Sequence, residues 1–161
     1  MKSLADTSTK PAKTDSPVVS ALNLLLADSY ALMALTHHAH WNVEGPGFFA
    51  LHKAFEEQYE HLFKAVDDIA ERVRALDAYA LGGLRAFAKE AGIDEFATGP
   101  IPARDYVASL IIAHEKTLND ALALRDAAGR ANDLETQDLA IERITWHQKT
   151  TWMLKSYLKS V

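Results

Sequence analysis

Apolar residues recur at helical spacing along most of the chain. Val18, Leu22, Leu25, Leu26 and Met33 fall three, four and seven positions apart, the period that lays one stripe of a helix against a core. The pattern runs from Pro17 to about Val43 and stops at Gly45-Pro46-Gly47. Ahead of it, Asp15-Ser16-Pro17 offers a capping side chain and a proline whose missing N–H does no harm in a first turn. From Phe48, the positions Leu51, Phe55, Leu62, Val66, Ile69, Val73 and Leu76 predict a second, long helix ending at Leu76 or Tyr79. Gly82-Gly83, Gly92 and Gly99-Pro100 then break the chain around one short helical piece, Leu84 to Ala91. A third long helix is predicted from Pro102 to Ala128, with Gly129 in the left-handed conformation that ends it. The fourth starts at Asn132 or Asp133, with Glu135 as capping-box partner of Asn132, and runs to Lys159. Period-two alternation of β-branched residues is absent, so no strands are expected.

Short links join the first helix to the second and the third to the fourth, while a long link joins the two pairs. Short links make antiparallel hairpins, and a long one lets the second pair run the other way round. The expected fold is all-α: a ferritin-like four-helix bundle with a short helix in the long crossover, although other bundles with one long link share the pattern. Residues 1–16 are too poor in large apolar groups to offset the entropy of ordering and read as a flexible tail, leaving 17–161 for the bundle.

Composition narrows the chemistry. A chain of 161 residues, 48% apolar and 24% charged, suits one soluble domain with one core. With no cysteine, disulfides, thiolate metal sites and cysteine nucleophiles are excluded. A net charge of −5 makes the folded body a poor match for a phosphate backbone. Asp28 interrupts the longest apolar stretch, so no membrane span is expected. The N-terminus lacks the apolar run of a secretory signal, and a cytoplasmic location is expected.

Two pairs on the second helix stand out: His52 with Glu56, and Asp67 with Glu71, each four residues apart and so stacked on one face. At roughly 100° per residue, all four lie within an arc of about 100°. Imidazole with carboxylate suits iron, manganese or zinc, whereas a bare pair of this kind is also what a solvated face looks like. The pairs do not share a height, because the fifteen residues from His52 to Asp67 span about 22 Å of helix. A second copy of the helix, antiparallel across a two-fold axis near His61 and Leu62, would bring His52 and Glu56 of one subunit opposite Asp67 and Glu71 of the other. His40, just before the turn, is placed to fold back beside His52 as a further ligand. No Glu has His three residues later, which argues against a di-iron centre inside one bundle.

The run from His40 through Trp41-Asn42-Val43-Glu44-Gly45-Pro46-Gly47 to His52 and Glu56, followed by Asp67-Asp68-Ile69-Ala70-Glu71-Arg72-Val73, resembles the Dps family, mini-ferritins known as DNA-binding proteins from starved cells. The resemblance extends over residues 17–160. It implies a hollow homo-dodecamer whose ferroxidase centres lie at two-fold interfaces, oxidise Fe(II) preferentially with hydrogen peroxide and store Fe(III) mineral inside. Residue by residue, it puts the ligands on His40, His52 and Glu56 of one subunit and Asp67 and Glu71 of its partner. Zinc or manganese at the same centre stays open. The resemblance also puts Trp41 beside the centre as a quencher of stray oxidising equivalents, a position that packing alone also explains. It implies acidic three-fold pores near the last interhelical turn, for which Asp120, Asp126 and Asp133 are the candidates, and a solvated acidic face is the plainer reading of each. DNA binding in the family commonly uses lysine-rich tails; here Lys2, Lys10 and Lys13 are diluted by Asp6 and Asp15. A shell that mainly compacts the nucleoid around an incidental metal site is the alternative reading.

Of the remaining histidines, His37 and His38 stay unassigned, His61 is placed near the expected two-fold where it faces its own symmetry mate, and His114 and His147 lack a carboxylate partner at helical spacing. Trp146, Trp152 and Tyr157 read as packing or subunit contact.

Overall fold

The computed structural model describes residues 16–159. Five helices follow in order, α1 (Pro17–Asn42), α2 (Phe48–Ala75), α3 (Leu84–Glu90), α4 (Ala103–Ala131) and α5 (Leu134–Leu158), with no strand among the described residues. α1 packs on α2, α4 on α5 and α1 on α4, and α3 lies against α1. The all-α ferritin-like bundle expected from the link lengths is the observed one, short crossover helix included.

Two apolar clusters fill the bundle. One gathers Val19, Leu22, Leu26, Ile69, Val73, Leu124 and Ala140; the other gathers Leu32, Leu35, Phe55, Leu62, Tyr106, Leu110 and Leu154. Between them the chain buries polar groups, among them Ser29, His114, Thr117 and His147. α1 is long and apolar enough to cross a membrane by length and composition, with mean hydropathy 1.7. Here that apolarity is spent in both clusters, and its one acid, Asp28, is wholly buried against Lys116 at 2.6 Å.

The ends of α4 and α5 correct the expected capping. Gly129 lies inside α4, which runs on to Ala131, and Asn132 takes the left-handed turn with φ 54°. A Cβ there would sit 2.7 Å from the terminal amide of Gln137, a flexible side chain that would have to shift. Asp133 rather than Asn132 caps α5: its Oδ1 accepts from the Thr136 backbone N–H at 3.1 Å and its Oδ2 from the Thr136 hydroxyl at 2.6 Å. At the start of α1, Ser16 occupies the cap position without a side-chain hydrogen bond.

Candidate metal centre

The turn between α1 and α2 positions the first two candidate ligands, His40 and His52. Gly45 and Gly47 have φ of 88° and 81°, values that disfavour any side chain. The reversal they permit lays the first turn of α2 beside the last turn of α1. Tyr157 of α5 donates to the Pro46 carbonyl at 3.4 Å, tying the C-terminal end of α5 to this turn.

His40 and His52 meet there in a reciprocal arrangement. His40 Nδ1 lies 2.8 Å from the His52 carbonyl oxygen, His52 Nδ1 lies 2.9 Å from the His40 carbonyl oxygen, and the rings stack with centroids 3.8 Å apart. A carbonyl only accepts, so each Nδ1 carries the hydrogen and each neutral ring keeps its lone pair on Nε2. This is the tautomer a metal requires, held by outer hydrogen bonds of the kind that orient ligating histidines. Glu56, one turn along, hydrogen-bonds Lys53 at 2.8 Å, and that contact holds its carboxyl below the ordinary range.

Asp67 and Glu71 lie farther along α2, both exposed. Among the described residues neither makes a hydrogen bond or ion pair within the protomer, and no three His, Asp or Glu side chains approach closely enough to hold a metal ion. One chain therefore carries imidazoles at one end of α2 and carboxylates farther along the same face, with no closed ligand set among the described residues.

Similarity to known proteins bears on this geometry. Residues 19–161 match the family described as Ferritin-like domain. An uncharacterized low temperature-induced protein of Nostoc is 39% identical over 88% of this chain and 80% of its own length. A DNA protection during starvation protein of Brevibacillus brevis is 34% identical over 88% of this chain and 95% of its own. This chain belongs to the Dps family. Among solved structures, Dps from Staphylococcus aureus superposes with a TM-score of 0.84 at 33% identity, covering 88% of this chain and 94% of that one. A Dps protein from Vibrio cholerae, described as a member of a broad superfamily of ferritin-like diiron-carboxylate proteins, gives 0.83 at 33% identity with 88% of each chain covered.

As a Dps chain, the molecule departs from several residue-level expectations. His61 does not face outward: it lies half a turn from the stripe, Arg143 donates to its Nε2 at 3.0 Å, and it stacks on Trp146 at 4.3 Å. Leu62 is fully buried. At this height the exposed residue is Phe63, 70% exposed. Asp120 is no pore acid, being turned inward between the Lys116 ammonium and Asp28. Burial and the shared hydrogen bond with Asp28 push it up to about 7. Asp133 is also engaged, accepting from Arg72 at 2.7 Å while capping α5. Burial alone would raise it, but Thr136 and Arg72 outweigh that and hold it low. Asp126 remains exposed, paired with Arg125 at 2.7 Å. Lys2, Lys10 and Lys13 lie outside the described residues.

Two features went unread in the sequence. Tyr59, seven residues after His52 and hence on its face, lies 5.2 Å from His40 and stacks on His37 at 4.1 Å. His37 in turn contacts Trp41 at 4.1 Å, so rings run from the His40–His52 pair to a Trp41 that is 66% exposed. The second is a groove of about 510 Å³ between α2 and α5, lined in part by Asp68, Glu71, Glu135, Asp138 and Glu142.

Proposed function

We propose that this Dps chain is a ferroxidase and iron store whose centre is completed across a two-fold axis. The carrying observation is the His40–His52 pair, with both Nδ1 atoms bound to carbonyls and neither Nε2 hydrogen-bonded among the described residues, His52 lying on the same face of α2 as Asp67 and Glu71. In an antiparallel pairing, Glu71 of the partner subunit faces His52 and Asp67 of the partner subunit faces Glu56. Apposed carboxylates repel unless a cation lies between them, and the mixed nitrogen and oxygen donors suit Fe(II), with zinc or manganese as competitors.

The substrate iron would be held by His40, His52 and Glu56 together with the partner's Asp67 and the partner's Glu71. Two Fe(II) ions give one electron each to hydrogen peroxide, its O–O bond breaks, two protons are taken up, and two Fe(III) and two waters result. Because both electrons leave together, hydroxyl radical is avoided. The ring series through Tyr59 and His37 to Trp41 offers stray oxidising equivalents a place away from the metal. The acidic groove beside Glu71 offers oxygen donors to Fe(III). Twelve such chains in a closed shell would store the product, with Asp126 the remaining pore acid, in a cytoplasmic setting.

Complementation tests the sharing directly. His52→Ala and Asp67→Ala subunits are each expected to lose peroxide-driven Fe(II) oxidation. Mixed and reassembled, they are expected to recover it in part, because each mixed pair contains one intact centre and one doubly defective one. No recovery, with assembly shown by native mass spectrometry, would sink the shared site.

DNA protection is a second reading, favoured by the names of relatives such as the Brevibacillus brevis protein and by the lysines of the tail. Twelve weak tails act together through effective concentration. Removing residues 1–16 is expected to abolish a low-salt gel shift; retained retardation would clear the tail of that role.

A further inference from the structure

Phe63 has no task in the chemistry above, yet it is 70% exposed on the helical face that carries Glu56 and Asp67. Beside it lies a cleft of about 450 Å³ between α1 and α2, lined by Met33, His37, Tyr59, Glu60 and Phe63 itself. The stacked His37 and Tyr59 rings, 4.1 Å apart at 24°, give the cleft an aromatic wall, and Met33 is a side chain that adapts to irregular apolar shapes.

We infer that the occupant of this cleft is the partner's Phe63, so that one ring from each copy keys the two-fold pairing and sets its register. The inference rests on the shared-site reading, which supplies the register. If His52 faces Glu71 and Glu56 faces Asp67, each step up one α2 is a step down the other, and residue 63 arrives opposite residue 60. The partner's ring therefore reaches the height at which Tyr59 and Glu60 line the cleft. The two Phe63 positions then lie three residues, or about 4.5 Å, apart along the axis, within reach of ring-on-ring contact.

Between His52 and Glu71 no other exposed side chain of the stripe supplies an apolar key; Phe49, also exposed, lies beyond that span at the start of α2. Glu56, Glu60, Asp67 and Glu71 are all acidic, and in this register Glu56 meets the partner's Asp67, a pairing of like charges that opposes association without a cation. A buried aromatic in a matching pocket is the usual source of interface energy. A slip of one residue would also turn each facing side chain by about 100°, taking the carboxylates off the imidazoles. Phe63 is in this sense a positioning residue for the metal centre.

The test compares full-length wild type with Phe63→Leu, Phe63→Ala and Phe63→Glu. Native mass spectrometry without metal reads assembly, and peroxide-driven Fe(II) oxidation is measured across a protein dilution series. Phe63→Leu is expected to keep the wild-type mass. Phe63→Glu, which meets the partner's Glu60, is expected to fall apart at concentrations where wild type is assembled. Phe63→Ala is expected to lose oxidation at least tenfold on dilution and regain it on concentration, which a change confined to the metal would not do. Should Phe63→Glu lose its helical circular dichroism, Phe63→Ala decides by the same readings. Wild-type mass and dilution-independent oxidation in both Phe63→Ala and Phe63→Glu would overturn the inference. A wild type that assembles but oxidises no iron would defeat the shared centre instead, while the masses of the variants still decide whether Phe63 holds the pairing.

Discussion

Two histidine pairs divide this bundle, and they do opposite things. His40 and His52 sit at the tip of the α1–α2 hairpin, each Nδ1 tied to a carbonyl, each Nε2 left with a lone pair. His114 and His147 sit in the bundle interior, fully buried, with their Nδ1 atoms 3.0 Å apart and Gln58 at 3.3 Å from His114 Nε2. In the interior pair the two Nδ1 atoms satisfy each other, one donating and the other accepting, while His147 Nε2 is buried with no hydrogen-bond partner among the described residues. Burial keeps both neutral: His114 is pushed down to about 3 and His147 well below the ordinary range. An imidazole becomes a ligand when backbone takes its proton-bearing nitrogen and leaves the other facing out; when another imidazole takes it in a dry core, the pair becomes a structural joint that acid can break.

That contrast sets the largest expected effect. Unfolded histidine titrates near 6.5, whereas folded His114 binds no proton until about pH 3. Its contribution to stability is therefore complete above about 6.5 and is lost as pH falls from there to about 3, by as much as about 5 kcal/mol. His147 acts in the same direction. Asp120 runs the other way: with its folded value up to about 7, it favours the folded state at low pH and loses that contribution as pH rises. Denaturant midpoints of wild type against His114→Gln separate the two, since Asp120 titrates in both proteins. The variant is expected to show the flatter acid limb between pH 6 and 4; parallel limbs would mean the interior pair does not hold back protons.

Next in size is the effect of losing the outer pair. His52→Ala is expected to slow peroxide-driven iron oxidation by about 100-fold, or about 2.7 kcal/mol in the barrier. His114→Gln at neutral pH is expected to leave that rate within a few-fold of wild type. An equal loss in both variants would erase the distinction between ligand and joint.

The smallest expected effect sharpens the outer site itself. Lys53 neutralises Glu56 in an exposed contact, and exposed pairs contribute little to stability. Lys53→Ala is expected to leave Tm unchanged and to strengthen metal binding at the centre, because Glu56 is released from its competitor. Weaker binding, read by metal titration, would mean that Lys53 orients Glu56 for the ion.

How much of this was legible follows from periodicity. The helices and their connections could be read because apolar spacing and Gly-Pro breaks are local facts. The ends were harder: at the end of α4, Gly129 looked like the stop, but the left-handed turn falls on Asn132, which tolerates it. The face shared by His52, Glu56, Asp67 and Glu71 was legible for the same reason as the helix. Which of Asp120, Asp126 and Asp133 stays exposed was not, because Asp28, Lys116 and Arg72 claim two of them from elsewhere in the chain.

The sequence by itself determined the all-α bundle, the long crossover and the stripe of candidate ligands, all of which depend on spacings within one helix or one link. Only the tertiary structure decided that His40 and His52 fix each other's tautomer, that His61 is claimed by Arg143 and Trp146, and that Phe63 stands exposed beside an open cleft. The physical reason is that a hydrogen-bond partner, a buried charge or a vacant apolar surface is set by which helices meet and at what height. Spacing along one helix does not carry that information.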